Sequence, residues 1–177
     1  MTNTFFVADP HFGHEGMCRF LRDDGTKLRP WETAAEMDEA IVERWNSVVR
    51  QHDKVYCLGD IVMRKQNLPI LDRLNGKKNL IRGNHDIFKL EEYSKYFYDI
   101  QACRVLSDMI LTHIPIHKES MGRYQTNVHG HLHYREIPDP DYFCVSMEHT
   151  DYTPIDLDEL RVRIAAKKAK YANIALT

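Results

Sequence analysis

Five short apolar runs in this chain stop abruptly at residues that bind cations or carry protons, and this pattern narrows the possible folds more than any other feature. Thr4–Ala8 (TFFVA) breaks at Asp9-Pro10-His11-Phe12-Gly13-His14, and Lys54–Leu58 (KVYCL) stops at Gly59-Asp60. Lys78–Ile81 delivers Gly83-Asn84-His85-Asp86, where Gly83 lets the backbone turn sharply. Met109–Thr112 ends in His113-Ile114-Pro115, and a further strand precedes Gly130-His131-Leu132-His133. Continuous apolar runs this short read as buried strands.

Helical signals separate the early strands. Thr33 and Glu36 have capping-box spacing, and Met37, Ile41, Trp45 and Val48 follow as one apolar stripe, which predicts a helix ending near Gln51. Another helix is expected over Lys65–Leu74, closed by Asn75-Gly76 with Gly76 as its C-terminal cap. A short helix is expected over Phe88–Tyr96. Later elements run strand after strand: Ile100–Leu106, a turn at Ser107-Asp108, Met109–Thr112, the strand before Gly130, and Phe143–Met147. Asp156 is placed to cap a final helix with Leu157, Leu160 and Ile164 on one face; its Arg161, Arg163, Lys167, Lys168 and Lys170 read as a solvated face. Alternation first and strand runs later predict an α/β layered sandwich, with mixed β-sheets flanked by helices, and a single domain over residues 1–177.

Composition excludes several classes of function. A formal net charge of −2 gives no global attraction to nucleic acid or to a membrane surface. No apolar run is long enough to span a bilayer, and the first residues lack a signal-peptide pattern. The four cysteines form no CxxC pair and read as reduced thiols, so the expected location is cytoplasmic. The ten histidines are the outlying number, and they cluster.

Ligand sites in open α/β sheets lie outside the carboxyl ends of the strands, so neighbouring strands would bring these polar ends to one crevice. The donors there are carboxylates, one amide and several imidazoles, with no thiolate, a set that suits Mn²⁺, Fe, Ni²⁺ or Zn²⁺ in a non-structural site. Seven donors exceed what one tetrahedral ion takes and suit two ions that share a carboxylate.

In order, Asp9-x-His11, Gly59-Asp60, Gly83-Asn84-His85-Asp86, His113-x-Pro115 and Gly130-His131-Leu132-His133 resemble the motifs of the calcineurin-like metallophosphoesterase family, in its small, capless bacterial and phage form. The resemblance runs from about residue 4 to residue 147, and no ligand of the pattern is missing. It implies two divalent cations, Mn²⁺ first, with Fe, Ni²⁺ or Zn²⁺ as alternatives. One would be held by Asp9, His11, Asp60 and His133, the other by Asp60, Asn84, His113 and His131, with Asp60 bridging. It further implies hydrolysis of a phosphate ester by water or hydroxide lying between the metals. His85 would contact the phosphate and protonate the leaving oxygen, and Asp86 would orient that imidazole. His14 and Arg82 are candidate substrate contacts. The segment carrying Arg19, Arg22, Lys27 and Arg29 is read either as a cover binding a second negative group or as solvated loop, and His129 as structural.

The expected substrate is a small phosphate ester, with a phosphodiester or nucleotide-like compound favoured by the absence of a cap domain. Phosphomonoester hydrolysis at the same centre is the alternative within the class, and a non-catalytic metal-binding scaffold is the alternative from another. Nuclease action has no support, since no basic stripe with interleaved aromatics is present.

Overall fold

Alternation along the first strand creates two cores. Strand β1 (Thr4–Val7) sends Phe5 and Val7 to one face and Phe6, followed by Ala8, to the other, because successive side chains in a strand point to opposite sides. The computed structural model describes residues 2–174. Strand β2 (Lys54–Cys57) repeats the division, with Val55 and Cys57 on the first face and Tyr56 on the second. Against the first face packs α1 (Ala34–Val48) through Met37, Ile41 and Trp45. Against the second packs another sheet, through Met109, Leu111 and Val128. Helices, sheet and sheet therefore form the layers, and the architecture is the mixed-sheet α/β sandwich expected.

The first sheet has the order β4 (Asp99–Gln101), β3 (Lys77–Ile81), β2, β1, β9 (Ile155–Asp156); all pairs are parallel except β1 with β9. The second has the order β5 (Arg104–Leu106), β6 (Met109–Leu111), β7 (Thr126–His129), β8 (Tyr142–Cys144), antiparallel only between β5 and β6. Ala8 bridges to Ser146, with Ala8 N–H donating to Val145 O and Met147 N–H to Ala8 O, both at 3.1 Å. This bridge ties the carboxyl end of β1 to the second sheet. The ends of β1, β2, β3, β6 and β7 thus meet along one edge.

Helix α1 starts as its sequence predicts: Thr33 Oγ1 accepts from the Glu36 N–H at 3.2 Å. Glu36 completes no reciprocal box with Thr33; its carboxylate accepts from the Glu32 N–H instead. The final helix, α3 (Leu157–Ile174), begins where Asp156 Oδ1 accepts from the Asp158 and Glu159 N–H groups, and it buries Leu160 and Ile164 in the inter-sheet core. Among the described residues no helix is long and apolar enough to cross a membrane.

Five expectations need correction. Lys65–Arg73 is a 3-10 helix containing Pro69, whose missing N–H disfavours an α-helical interior; Leu68 and Leu71 are buried at the three-residue spacing of that helix. It ends with Leu74 as C-cap, so Gly76 turns the chain into β3 and does not cap the helix. The strand expected over Ile100–Leu106 divides at Ala102-Cys103, and its halves are edge strands of different sheets. The strand expected to reach Met147 stops at Cys144, because the next residues leave the second sheet to pair with Ala8; Met147–His149 is a 3-10 turn. Between Phe88 and Tyr96 the helix α2 is a single turn, Leu90–Tyr93.

Candidate metal centre

The backbone marks this edge before any side chain is considered. Asp9, His11, Asp60, His131 and His133 all have left-handed backbone, with φ of 57°, 52°, 55°, 71° and 53°. That conformation costs a non-glycine residue roughly 1–2 kcal/mol. Strain accumulated at one place is characteristic of a functional site, where the surroundings enforce it because the side chains must point a particular way. The enforcement is visible in the hydrogen bonds. Asp9 N–H donates to Gly59 O and His11 N–H to Asp60 O, both at 3.1 Å, and Gly130 N–H donates to His113 O at 3.0 Å. Gly59 (φ 86°) and Gly83 let the second and third loops touch: a Cβ on Gly59 would lie 2.6 Å from Gly83 N, and one on Gly83 would lie 2.2 Å from Asp60 Oδ1.

Two groups of donor atoms result. Asp9, His11 and His133 form one, and Asp60, His113 and His131 the other; within each, one ligand atom per residue lies within 4.8 Å of the others. Asp60 joins them. Its Oδ2 is 3.8 Å from His11 Nε2 and 3.3 Å from His113 Nε2, while its Oδ1 accepts the His85 main-chain N–H at 2.8 Å. Asp9 is divided the same way. Oδ2 accepts from Ser146 Oγ at 2.6 Å and from His131 N–H at 2.9 Å, and among the described residues Oδ1 is buried without a hydrogen-bond partner. His11 Nε2 is buried and unpartnered as well.

These arrangements fit cations. His113 Nδ1 lies 2.7 Å from Leu58 O, which can only accept, so the proton of a neutral ring sits on Nδ1. The bare Nε2 lone pair then faces Asn84 Oδ1, a second acceptor, at 2.9 Å. Asp60 Oδ2, 3.3 Å from the same Nε2, is an acceptor whichever way that amide is turned, so the contact calls for a positive charge, either a proton or a metal ion. A main-chain carbonyl that fixes the ring in this way is a common support for a metal-binding histidine.

Charge state follows from burial and neighbours. Burial pushes the Asp9 carboxyl up to about 6, against the pull of His113, His133 and the Ser146 hydroxyl. Burial alone would depress His113, but the Asp60 hydrogen bond and the charges of Asp9 and Asp60 outweigh it and raise the imidazole to about 9. At pH 7 the ring therefore holds a proton that a metal ion must displace. Affinity at the Asp60–His113 group is expected to rise about tenfold per pH unit from pH 7 towards 9 and then level off. Calorimetry in buffers of different ionisation enthalpy measures the proton released; a pH-independent affinity would contradict this charge assignment.

The other residues singled out in the sequence have distinct places. His85 is exposed, with its ring 5.7 Å from that of His11. His14 lies 5.6 Å from His11, and burial lowers its pKa. Asn84 faces His113 as described. Arg82 is exposed, and its Nε and Nη2 both donate to the Asp86 carbonyl. It shares with Asn84, Cys103, His113, Ile114 and Ile116 a cleft of about 370 Å³.

Asp86 corrects an expectation. Its carboxylate is buried and accepts main-chain N–H groups from Asp60 (2.8 Å), Ile61 (3.1 Å) and Gly83 (2.8 Å), so it brackets two loops. Among the described residues no hydrogen bond joins it to the His85 imidazole. Arg29 departs from the basic segment around it: it is fully buried and faces the underside of the first loop, whereas Arg19 and Lys27 are exposed. His129 is buried with Nδ1 at 2.8 Å from Gly130 O, and it joins neither donor group. Sequence reading missed Ser146 and Glu148, which meet Asp9 and His133. They fall in a stretch with no motif spacing, so their neighbours give no local signal.

Comparisons with known proteins bear on the fold. No family model matches the chain. It is similar to an uncharacterized protein of Methanocaldococcus jannaschii, with 29% identity over 173 residues and 89% of each chain covered. It is 37% identical over 93 residues to the gene 66 protein of Mycobacterium phage L5, a match covering 49% of this chain and 41% of that protein. A solved structure of a protein of unknown function from Aquifex aeolicus superimposes with a TM-score of 0.66 at 24% identity, covering 91% of this chain and 98% of the other. An archaeal phosphodiesterase is a more distant likeness, with a TM-score of 0.49, 16% identity and 82% of each chain covered, too remote to bear on function. The shared property is the fold.

Proposed function

We propose that this protein is a dinuclear metal-dependent phosphoesterase of the calcineurin-like metallophosphoesterase type, acting on a phosphodiester or nucleotide-like substrate. The observation that carries the reading is Asp60 Oδ2, which faces His11 Nε2 at 3.8 Å and His113 Nε2 at 3.3 Å and so joins two Asp/His donor groups. Asp9, His11 and His133 would hold one ion and Asn84, His113 and His131 the other, with Asp60 common to both. When bound, the two ions would supply Lewis acidity towards the phosphoryl oxygens and lower the pKa of a water molecule.

This chain's own residues account for the rest. His85, exposed beside His11, can reach a leaving oxygen with a proton. His14 and Arg82 offer donors to the remaining phosphate oxygens, Arg82 with its guanidinium already anchored on the Asp86 carbonyl. The cleft beside Asn84 and His113 has apolar walls in Ile114 and Ile116, and it can take the organic group of an ester. Its open form supports a diester, which must extend past the reacting phosphorus on both sides.

Chelation tests the reading. Protein stripped of metal is expected to hydrolyse neither bis(p-nitrophenyl) phosphate nor cyclic nucleotides, and Mn²⁺ is expected to restore turnover. Activity that survives chelation would sink the mechanism. A scaffold would take up Mn²⁺ and still hydrolyse no ester.

A further inference from the structure

Arg29 and Glu148 form a buried ion pair beneath the first donor group, 119 residues apart in sequence. Burying a guanidinium is costly unless it is paired and hydrogen-bonded, and here each of its three nitrogens donates in a particular pattern. Nη2 donates to Asp9 O at 2.5 Å and Nη1 to Pro10 O at 2.8 Å, with Met37 Sδ 3.3 Å from Nη1. Nε donates to Glu148 Oε1 at 2.9 Å. The same Oε1 lies 3.4 Å from His133 Nδ1. One fork therefore holds the main chain between Asp9 and His11, both in left-handed conformation, and also the carboxylate that faces His133. The pair thus touches Asp9 and His133 directly, and His11 through the preceding Pro10 carbonyl.

The second group is supported differently. His113 leans on the neutral carbonyl of Leu58, and Asp60 on the main-chain N–H of His85. Neither support involves Arg29 or Glu148; the two groups touch through the His131 main-chain N–H, which donates to Asp9 Oδ2. The asymmetry has a physical consequence. The 3.4 Å approach is an ion-pair contact and not a hydrogen bond, and a carboxylate this close favours a proton on Nδ1 electrostatically, which leaves Nε2 of His133 for a cation. Without that carboxylate, the uncompensated guanidinium charge lies close to where a cation would bind.

We propose that Arg29 and Glu148 are positioning residues dedicated to one of the two metal sites, setting the affinity of the Asp9–His11–His133 group and leaving the Asp60–His113–His131 group unchanged. The inference rests on the dinuclear reading above, but it concerns how each ion is held and not what is hydrolysed.

Glu148→Gln preserves the shape and the acceptor oxygen while removing the charge. Its Mn²⁺ affinity is expected to fall about 10–100-fold at one site only. At a free Mn²⁺ concentration that just fills both sites of the natural protein, the variant should hold about one ion per chain by elemental analysis. Its paramagnetic resonance spectrum should change from that of a spin-coupled pair to the hyperfine pattern of isolated Mn²⁺. Arg29→Lys retains the charge but lacks the fork, since one ammonium cannot reach the two carbonyls and the carboxylate in that geometry; it should show the same single-site loss. It serves as the second test if Glu148→Gln does not fold. Trp45→Phe is the control for general destabilisation and should retain both ions: Trp45 is buried on α1 with its Nε1 donating to Asn75 O, and among the described residues it shares no hydrogen bond or ion pair with Arg29 or Glu148.

Two ions of unchanged affinity in both variants would overturn the inference, as would equal weakening of both sites. A natural protein that binds two ions but hydrolyses no ester would refute the proposed function and leave this inference standing. A natural protein that binds no ion would refute both.

Discussion

Asp60→Asn is expected to empty both cation sites and lower turnover by about 10³-fold or more, since each ion supplies several kcal/mol of charge stabilisation in the transition state. The substitution is informative because it changes so little else. Asparagine tolerates the left-handed backbone that Asp60 adopts at φ 55°. Its side-chain oxygen can still accept the His85 N–H that Asp60 Oδ1 accepts now. The lost feature is the anionic Oδ2 facing His11 and His113. Elemental analysis after equilibration with Mn²⁺, together with kcat on an aryl diester, measures both effects. Two ions retained at natural affinity would show that Asp60 does not bridge.

His85→Ala is expected to do the opposite: both ions stay and turnover falls by about 10²–10⁴-fold, the range of a lost general acid. His85 belongs to neither donor group, and its side chain is exposed. The loss should depend on the leaving group. Alkyl esters, whose alkoxide needs a proton, should suffer most, and p-nitrophenyl esters, whose phenolate leaves unaided, should suffer least. An equal loss on both would remove the acid role and leave only transition-state charge stabilisation. Full turnover on both would remove His85 from the chemistry altogether. Because Asp86 is committed to the main-chain N–H groups of Asp60, Ile61 and Gly83, replacing it should disturb the Asp60 loop, and with it metal binding, and not the imidazole of His85.

Much of the architecture is legible in the sequence because it rests on local, periodic signals. Phe5, Phe6 and Val7 announce a buried strand by apolarity alone, and β1 is there. Thr33 announces the start of α1, since a hydroxyl three residues before a free N–H has few better partners. Asp156 does the same for α3. Where such signals mislead, the competing interaction is non-local. Ala102-Cys103 looks like the middle of one strand, but the chain changes sheets there. Val145 and Ser146 look like the end of a strand, but they pair with β1 across the sandwich.

That Asp9, His11, Asp60, Asn84, His113, His131 and His133 lie near one another is legible in the chain, because each follows a strand and strand ends in such a sheet collect at one edge. How those donors are aimed is not. It depends on left-handed backbone at five of them, which no residue type dictates and which the packing of the loops enforces. Asp86 and Arg29 show the same limit. Both are charged residues near motifs; the sequence reads Asp86 as orienting the His85 imidazole and Arg29 as part of either a cover over the site or a solvated loop. Only the tertiary structure turns Asp86 into a bracket between two loops and Arg29 into a buried support under the first. A buried charge is stable only beside compensating partners, and Arg29 finds a carboxylate in Glu148 and main-chain acceptors in Asp9 and Pro10, brought together by the closing of two sheets.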